Sequence, residues 1–308
     1  MQYEYYIADV FTTRIFQGAQ VAVFPFADGL SQQMMQQIAG EMNLSETVFV
    51  FSNNRKKNKR RLRVFSPIEE IDFSGHPIIA AGWVLASIGD IELKEEFTSV
   101  VFEQNLDTQY AFISAEDGIP SLVTFTMPVN ATVDNFVPIN NELADILKLP
   151  EADLEKPNFG PKFRPIFVSC GKNYLIIPVK NYAAARKARF DFSSWSLSSA
   201  PATLVQEILI FTPTSGTGKS DFHGRLLGPE ISPTEDLPIG SAMPAFTAYL
   251  SKHEHIKQGT HIFTIDRGTR NTRHSLLNIE MDNKPENLVI RVGGPAVMVA
   301  EGKLNIPD

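Results

Sequence analysis

Ile71-Asp72-Phe73-Ser74-Gly75-His76-Pro77 runs straight into Ile78-Ile79-Ala80-Ala81-Gly82-Trp83-Val84-Leu85, and this stretch sets the fold. A glycine turn opens into a short helix that is apolar on nearly every face. Such a helix suits a place wrapped by sheet rather than one on a surface. The construction recurs as Glu235-Asp236-Leu237-Pro238-Ile239-Gly240-Ser241-Ala242, continuing through Met243-Pro244-Ala245-Phe246 to Tyr249-Leu250. Aligning Gly75 with Gly240 sets His76 opposite Ser241, Glu70 opposite Glu235 and Leu85 opposite Leu250. Pro77 and Pro244 fall in the first helical turn, where a missing N–H costs little. A helix start exposes unpaired N–H groups and a partial positive charge, so two facing starts would cradle an anion.

Around this pair the order of elements repeats. Strands are expected over 3–11 and 21–26, with a loop from Thr12 to Gln20 pivoting on Gly18. Ser31 should cap a helix carrying Met34, Ile38 and Met42 on one stripe, with Met35 and Ala39 beside it. Ser45-Glu46-Thr47 then leads into a strand at 48–51, and further strands are expected near 97–103, 109–114 and 121–127. Pro128 to Asn140 reads as a linker, followed by a helix that Asn140 caps, running through Leu143, Ile146 and Leu147 and ended by Pro150, and by a strand pair turning at Gly171-Lys172-Asn173. A short basic helix near 181–189 and a strand at 208–211 precede the second glycine helix. Strands near 261–266, 275–281, 287–292 and 296–300 follow it. Strand, surface helix, strands, buried helix, strands in each half reads as a duplicated α+β unit. The expected domains are 1–128 and 129–295, with the last strand, within 296–308, returning to the first.

Composition narrows the class. Of 308 residues, 43% are apolar and 20% charged, as in a globular protein with room for two cores. A net charge of −7 argues against general nucleic-acid binding. The opening Met1-Gln2-Tyr3-Glu4-Tyr5-Tyr6 lacks the regions of a signal peptide, and no apolar run approaches the ~20 residues of a membrane span. One cysteine, Cys170, excludes an internal disulfide framework and fits a reducing, cytoplasmic setting.

Several motifs resolve into plain structure. Ser215-Gly216-Thr217-Gly218-Lys219-Ser220 has Pro213 where a phosphate loop needs its first glycine, and Asp221-Phe222-His223-Gly224 after it reads as turn rather than helix. Arg55 to Arg63 holds seven basic residues in nine; it reads as a solvated hairpin tip, with Arg61 and Arg63 on the outer face of the second strand. The sharper alternative there is a phosphate or nucleic-acid patch or a targeting signal, and docking of an acidic partner is a third idea. His253 and His255 lie on different faces of a helix end, and no metal site is expected. Taken singly, His76 could be structural, Glu46 a surface acid, Asp236 a turn residue and Ser241 an N-cap.

Asp9-Val10-Phe11 with Phe16-x-Gly18-x-x-Val21-Ala22-Val23, then Ser45-Glu46-Thr47-Val48-Phe49, resembles the opening of the phenazine-biosynthesis (PhzF-like) isomerase family. Phe65-Ser66-Pro67 through Phe73-Ser74-Gly75-His76-Pro77 is similar to its second signature. Arg225–Pro229 with Glu235-Asp236 through Gly240-Ser241-Ala242 resembles its third. The stretch from Gly268 to Arg273-x-Ser275 and Val292-Gly293-Gly294-x-Ala296-x-x-Val299 resembles its last. The resemblance spans nearly the whole chain. It implies the diaminopimelate-epimerase-like fold: two similar domains, each a curved, mainly antiparallel, barrel-like sheet around a central apolar helix, with the site in a cleft between them. It also implies that Glu46 is the general acid/base of a proton-transfer isomerase, with His76, Asp236 and Ser241 completing the catalytic set. Gly18, Ser74, Gly75 and Gly240 would contact substrate.

Relatives of the fold that racemise amino acids use two cysteines, one just before the first Gly-His. Ser74 stands in that place and Cys170 lies in neither motif, which excludes a two-thiol racemase. A carboxylate near an apolar wall can both give and take a proton near neutral pH. Substrate conjugation would serve as electron sink, so no cofactor is implied. The chain departs from the family's usual residues at Ala19 and Gln20 after Gly18, at Pro238 and Ile239 before Gly240, and at Thr272 and His274 around Arg273. The acid/base survives while the substrate-reading periphery changes. The expected partner is a small carboxylate, with no nucleic acid and no membrane, and a homodimer is compatible. The alternative is a catalytically retired relative that binds a small molecule or a protein.

Overall fold

The computed structural model describes the chain apart from residues 55–57, 95, 135–136, 155–162, 214–217, 230, 232–236, 253–255, 257, 270, 285–286 and 307–308. It is an α+β protein, mostly sheet with few helices, in two compact units. One comprises Met1–Met127, Arg273–Ser275 and Arg291–Asp308, the other Pro128–Thr272 and Leu276–Ile290.

In the first unit, β1 (Gln2–Val10) pairs antiparallel with β2 (Ala19–Phe24). Helix α1 (Gln32–Met42) then crosses over to β3 (Glu46–Asn54), which lies parallel to β2. A crossover is obligatory for a parallel neighbour, because no hairpin can make that connection. Ser31 caps α1 through the Met34 N–H, and Asn43 ends it in the left-handed conformation at φ 48°. The buried stripe is Met35, Ile38 and Ala39, one position round from the expected one, with Met34 and Met42 at its edge. Antiparallel β4 (Lys59–Phe65) follows, then the short β5 (Glu70–Ile71). Helix α2 (His76–Ser87) crosses over to β6 (Phe97–Glu103), parallel to β4, and β7 (Thr108–Glu116) and β8 (Ile119–Pro128) complete an antiparallel meander. Ten of the twelve residues of α2 are buried, against strands that include β1, β2, β3 and β7. Each aliphatic side chain so enclosed contributes about 1.5–3 kcal/mol.

The second unit repeats the scheme. Strand β9 (Thr132–Asp134), inside the stretch expected to be a linker, pairs with β10 (Ile166–Cys170), because alternate residues there still suit a sheet edge. Helix α3 (Asn140–Leu147) lies between them in sequence, and β10 turns at Gly171, φ +76°, into β11 (Lys172–Pro178). Helices α4 (Tyr182–Lys187) and α5 (Phe192–Leu197) cross over to β12 (Glu207–Thr212), parallel to β11. Antiparallel β13 (Phe222–Leu227) follows, and α6 (Met243–Ser251) crosses over to β14 (Gly259–Arg267), parallel to β13. Residues 221–224, read as turn material, therefore include the start of a strand. Gly224 is there to admit the Ile265 side chain, which would stand 3.1 Å from an added Cβ. Phe211, Phe222, Phe246, Tyr249 and Phe263 pack as an aromatic cluster around α6, with ring centroids 5.0–6.4 Å apart. Strands β15 (Ser275–Lys284) and β16 (Asn287–Gly294) follow, and β17 (Ala296–Asn305) pairs antiparallel with β1 in the first unit. Parallel, antiparallel, parallel with a surface crossover first and a buried one second is thus the order in both units. No helix of the described residues is long and apolar enough to cross a membrane.

Candidate active site

Glu46 is the first residue of β3, placed by the left-handed end of α1 and by its register with Val21 on β2. Only 9% of it is exposed. The loop after β5 brings Ser74 beneath it, with the hydroxyl 2.8 and 2.9 Å from the two carboxylate oxygens. One hydroxyl proton serves one oxygen at a time, so Ser74 caps the carboxylate without sealing it. His76, 8% exposed at the head of α2, places Nε2 2.9 Å from Glu46 Oε2. That nitrogen lies off the line of a good hydrogen bond, so the contact becomes an ion pair when the ring is protonated. Carboxylate, hydroxyl and imidazole thus meet in one spot although 28 residues separate Glu46 from Ser74.

Gly75 precedes α2, and no side chain caps the helix. Its φ of −84° suits any residue; glycine is needed because the Phe125 ring would stand 2.6 Å from an added Cβ. Helices α1, α4 and α5 are closed by Ser31, Asn181 and Asp191. The start of α2 instead leaves its N-terminal dipole available to an anion.

Gly18 lies in the loop after β1. At φ +72° with the Val10 carbonyl 2.2 Å from any added Cβ, that position accepts only glycine. Its N–H donates to the His274 carbonyl at 2.9 Å, and its own carbonyl accepts from Arg273 Nε at 3.0 Å. Arg273 also pairs with Asp9, which accepts the Phe16 N–H at 2.6 Å. Burial raises the Asp9 carboxyl above its usual value even with Arg273 beside it.

In the second unit Gly240, Ser241 and Ala242 form a single 3₁₀ turn before α6, again without a side-chain cap. Ser241 is therefore not an N-cap. It is exposed and hydrogen-bonds the hydroxyl of Tyr174, whose phenol burial pushes far above its ordinary value. Asp236 lies outside the described residues, as do His253 and His255. Among the described residues no group of three or more His, Cys, Asp or Glu could hold a metal ion. A groove of about 910 Å³ in the second unit, lined by residues such as Thr132, Ser169, Lys252 and Asn283, includes none of the expected site residues.

Sequence reasoning missed three polar pairings. Gln104 clamps the backbone of Ser74, with its Oε1 accepting the Ser74 N–H and its Nε2 donating to the Ser74 carbonyl, both at 2.8 Å. His223 and Asp266, both fully buried, meet at 2.7 Å. Glu207 opens β12 in register with Tyr174 on β11, as Glu46 opens β3 in register with Val21, and it pairs with Lys172 at 2.7 Å. The last shows in the sheet pairing rather than in the spacing: Thr47 faces Phe65 and Ile208 faces Leu227, so the acids just before them hold matching places. The basic run is also not simply solvated. Arg60 is 1% exposed and bound to Asp90, while Lys59, Arg61 and Arg63 reach Glu103, Asn105 and Glu70; Arg55, Lys56 and Lys57 lie outside the described residues.

The model of a family described as phenazine biosynthesis-like protein matches residues 8–302. An uncharacterized isomerase of Mesorhizobium japonicum is 32% identical over 98% of both chains. The trans-2,3-dihydro-3-hydroxyanthranilate isomerase of Pseudomonas aeruginosa is 26% identical over 98% of this chain and 99% of its own. A crystal structure of a phenazine biosynthesis protein from Bacillus anthracis superposes with a TM-score of 0.82 at 20% identity, covering 99% of this chain and all of that one. That likeness carries the fold.

Proposed function

Because this chain belongs to the phenazine biosynthesis-like family, we propose that it moves a proton along the carbon skeleton of a small carboxylated metabolite, with Glu46 as the general acid/base. The chain is an isomerase of that family, and the reaction below is the finer reading. The observation that carries it is the meeting of Glu46 with the Ser74 hydroxyl and the His76 imidazole, all within 2.9 Å.

Glu46 takes a proton from a carbon, and the electron pair of that C–H bond moves into the conjugation of the substrate. The same carboxyl returns the proton to another carbon, so nothing is gained or lost. His76, 2.9 Å from Oε2, holds the carboxylate from one side, and Ser74 keeps it from swinging away. The uncapped start of α2 at Gly75 offers its N–H groups to the substrate carboxylate and to charge that develops as the proton leaves. Gly240 and Ser241, at the other uncapped start, are assigned to anion binding in the same way. Asp236 is assigned with them as a polar partner of the substrate, and Gly18 shapes the first loop.

The first substrate to try is trans-2,3-dihydro-3-hydroxyanthranilate, on which the Pseudomonas relative acts by name. Proton uptake from D2O into this compound and other small conjugated carboxylates tests the reading. Glu46→Gln should abolish exchange and still bind the compound; exchange that persists in this variant removes Glu46 from the role. A retired binding protein is the second reading, favoured by the wholly buried Ile239, which places a core residue where the family has a hydroxyl. Failure of every carboxylate tried to exchange, together with retained binding, would favour it.

A further inference from the structure

Gln104 stands just past the end of β6, 4% exposed, and its amide matches the peptide of Ser74 donor to acceptor and acceptor to donor at 2.8 Å. The turn that carries it is stitched to the same segment at further points. The Leu106 N–H reaches the Asp72 carbonyl at 3.2 Å, and Asn105 Nδ2 reaches Glu70 Oε1 at 2.9 Å. From β4, Arg61 donates to the Gln104 carbonyl at 2.5 Å and to the Asn105 side chain, while Arg63 grips Glu70 at 2.5 Å. Two side chains of the basic run therefore serve as the back of a splint whose front is the Gln104 amide. The segment it braces is a loop without regular structure of its own, and Ser74 sits there with the hydroxyl under both oxygens of Glu46.

We infer that Gln104 is a positioning residue, which fixes the Ser74 backbone and thereby holds the Ser74 hydroxyl on the Glu46 carboxylate. Gln104 acts through Ser74, and its part in turnover rests on the reading of Glu46 as the acid/base. An amide is suited to the task because it offers one donor and one acceptor in a plane, as a neighbouring strand would. Its removal leaves a half-buried N–H and a half-buried C=O without that partner, which loosens the segment around Ser74.

The test uses the full chain with Gln104→Met, which keeps the shape, and Gln104→Asn, which keeps the amide but draws it back by one methylene. The Ser74 amide should exchange with solvent roughly tenfold faster in both, the scale of one lost neutral hydrogen bond. Amides of β1, far along the chain, should not change. Turnover of trans-2,3-dihydro-3-hydroxyanthranilate should fall roughly tenfold in kcat, because small displacements of positioned groups are costly. KM should stay within about twofold, the interaction being one made with the enzyme's own carboxylate. Placing Gln104→Met in a Ser74→Ala background should add almost nothing to the loss in kcat, since the hydroxyl to be positioned is gone. An equal loss in both backgrounds would mean that Gln104 supports the fold alone, and would overturn the inference. An unchanged Ser74 amide in both variants would overturn it as well, whatever the activity. The two readings fail separately: persistence of turnover in Glu46→Gln removes the acid/base, while the Ser74 amide still reports on Gln104.

Discussion

Glu46 and Glu207 occupy the same place in the two units, yet their surroundings differ. Each opens a strand, in register with the strand before a surface crossover, and each precedes a glycine turn and a buried helix. In the first unit the carboxylate meets a hydroxyl and an imidazole. In the second it meets the ammonium of Lys172, and the helix start is reached instead by Tyr174 from the neighbouring strand. A carboxylate tied to a permanent cation makes a poor proton carrier. One flanked by groups that can themselves give up or share a proton can cycle. The two units thus offer equivalent positions, and only the first surrounds its acid with the partners that the proposed proton transfer calls for.

The sharpest way to break this comparison is to remove each acid in turn. Glu46→Gln should lower kcat by roughly 10²–10⁴, the span of a lost general acid/base. Glu207→Gln should leave kcat within about twofold. Comparable losses in steady-state assays of the two variants would end the distinction.

A second acid of the first unit, Asp9, is buried beside a cation as Glu207 is, but with far less access to water. Arg273→Met should therefore cost about 3 kcal/mol in urea unfolding at neutral pH, because it strands a buried charge. Burial has already raised the Asp9 carboxyl, so this penalty should fade as pH falls through that raised value and the acid becomes neutral. A penalty independent of pH would show that packing of the arginine stem, not its charge, is what counts.

Arg63 and Glu70 offer the intermediate case. The hydrogen bond from Arg63 holds the Glu70 carboxyl below its usual range. Its stabilisation is present above the unfolded value and is lost as pH falls through the lowered folded one. Arg63→Met should cost about 1 kcal/mol at pH 7, with the gap to the parent closing in acid. The smallest effect belongs to Lys172→Met. That ammonium is 53% exposed, so the cost should be under about 1 kcal/mol. A larger loss would mean that Glu207 depends on its partner more than an exposed pair allows.

Much of the fold was legible because glycine and proline punctuate it. Gly75 with Pro77 and Gly240 with Pro244 mark two helix starts, and unbroken apolar runs mark those helices as buried. Ser31 announced α1 for the same local reason. The site was legible in part. Glu46 and His76 were reached through family resemblance, whereas the grip of Gln104 on Ser74 spans 30 residues and joins a side chain to a backbone, which no spacing encodes. His223 was hidden by Asp221 and Gly224, which look like turn residues although Gly224 answers a close approach inside a sheet. Glu207 escaped because the halves had been aligned on their glycines. The distance from strand start to glycine is longer in the second half, so that alignment does not carry back to the acids.

The antiparallel ladder between β1 and β17 fixes an order of events on the ribosome. Gln2 and Asn305 are partners, so the first strand emerges long before its mate exists. Every strand wholly within the second unit will have been translated by then. The unit that holds Glu46 is the last to close during synthesis, and the nascent chain carries an unfinished sheet edge until β17 arrives.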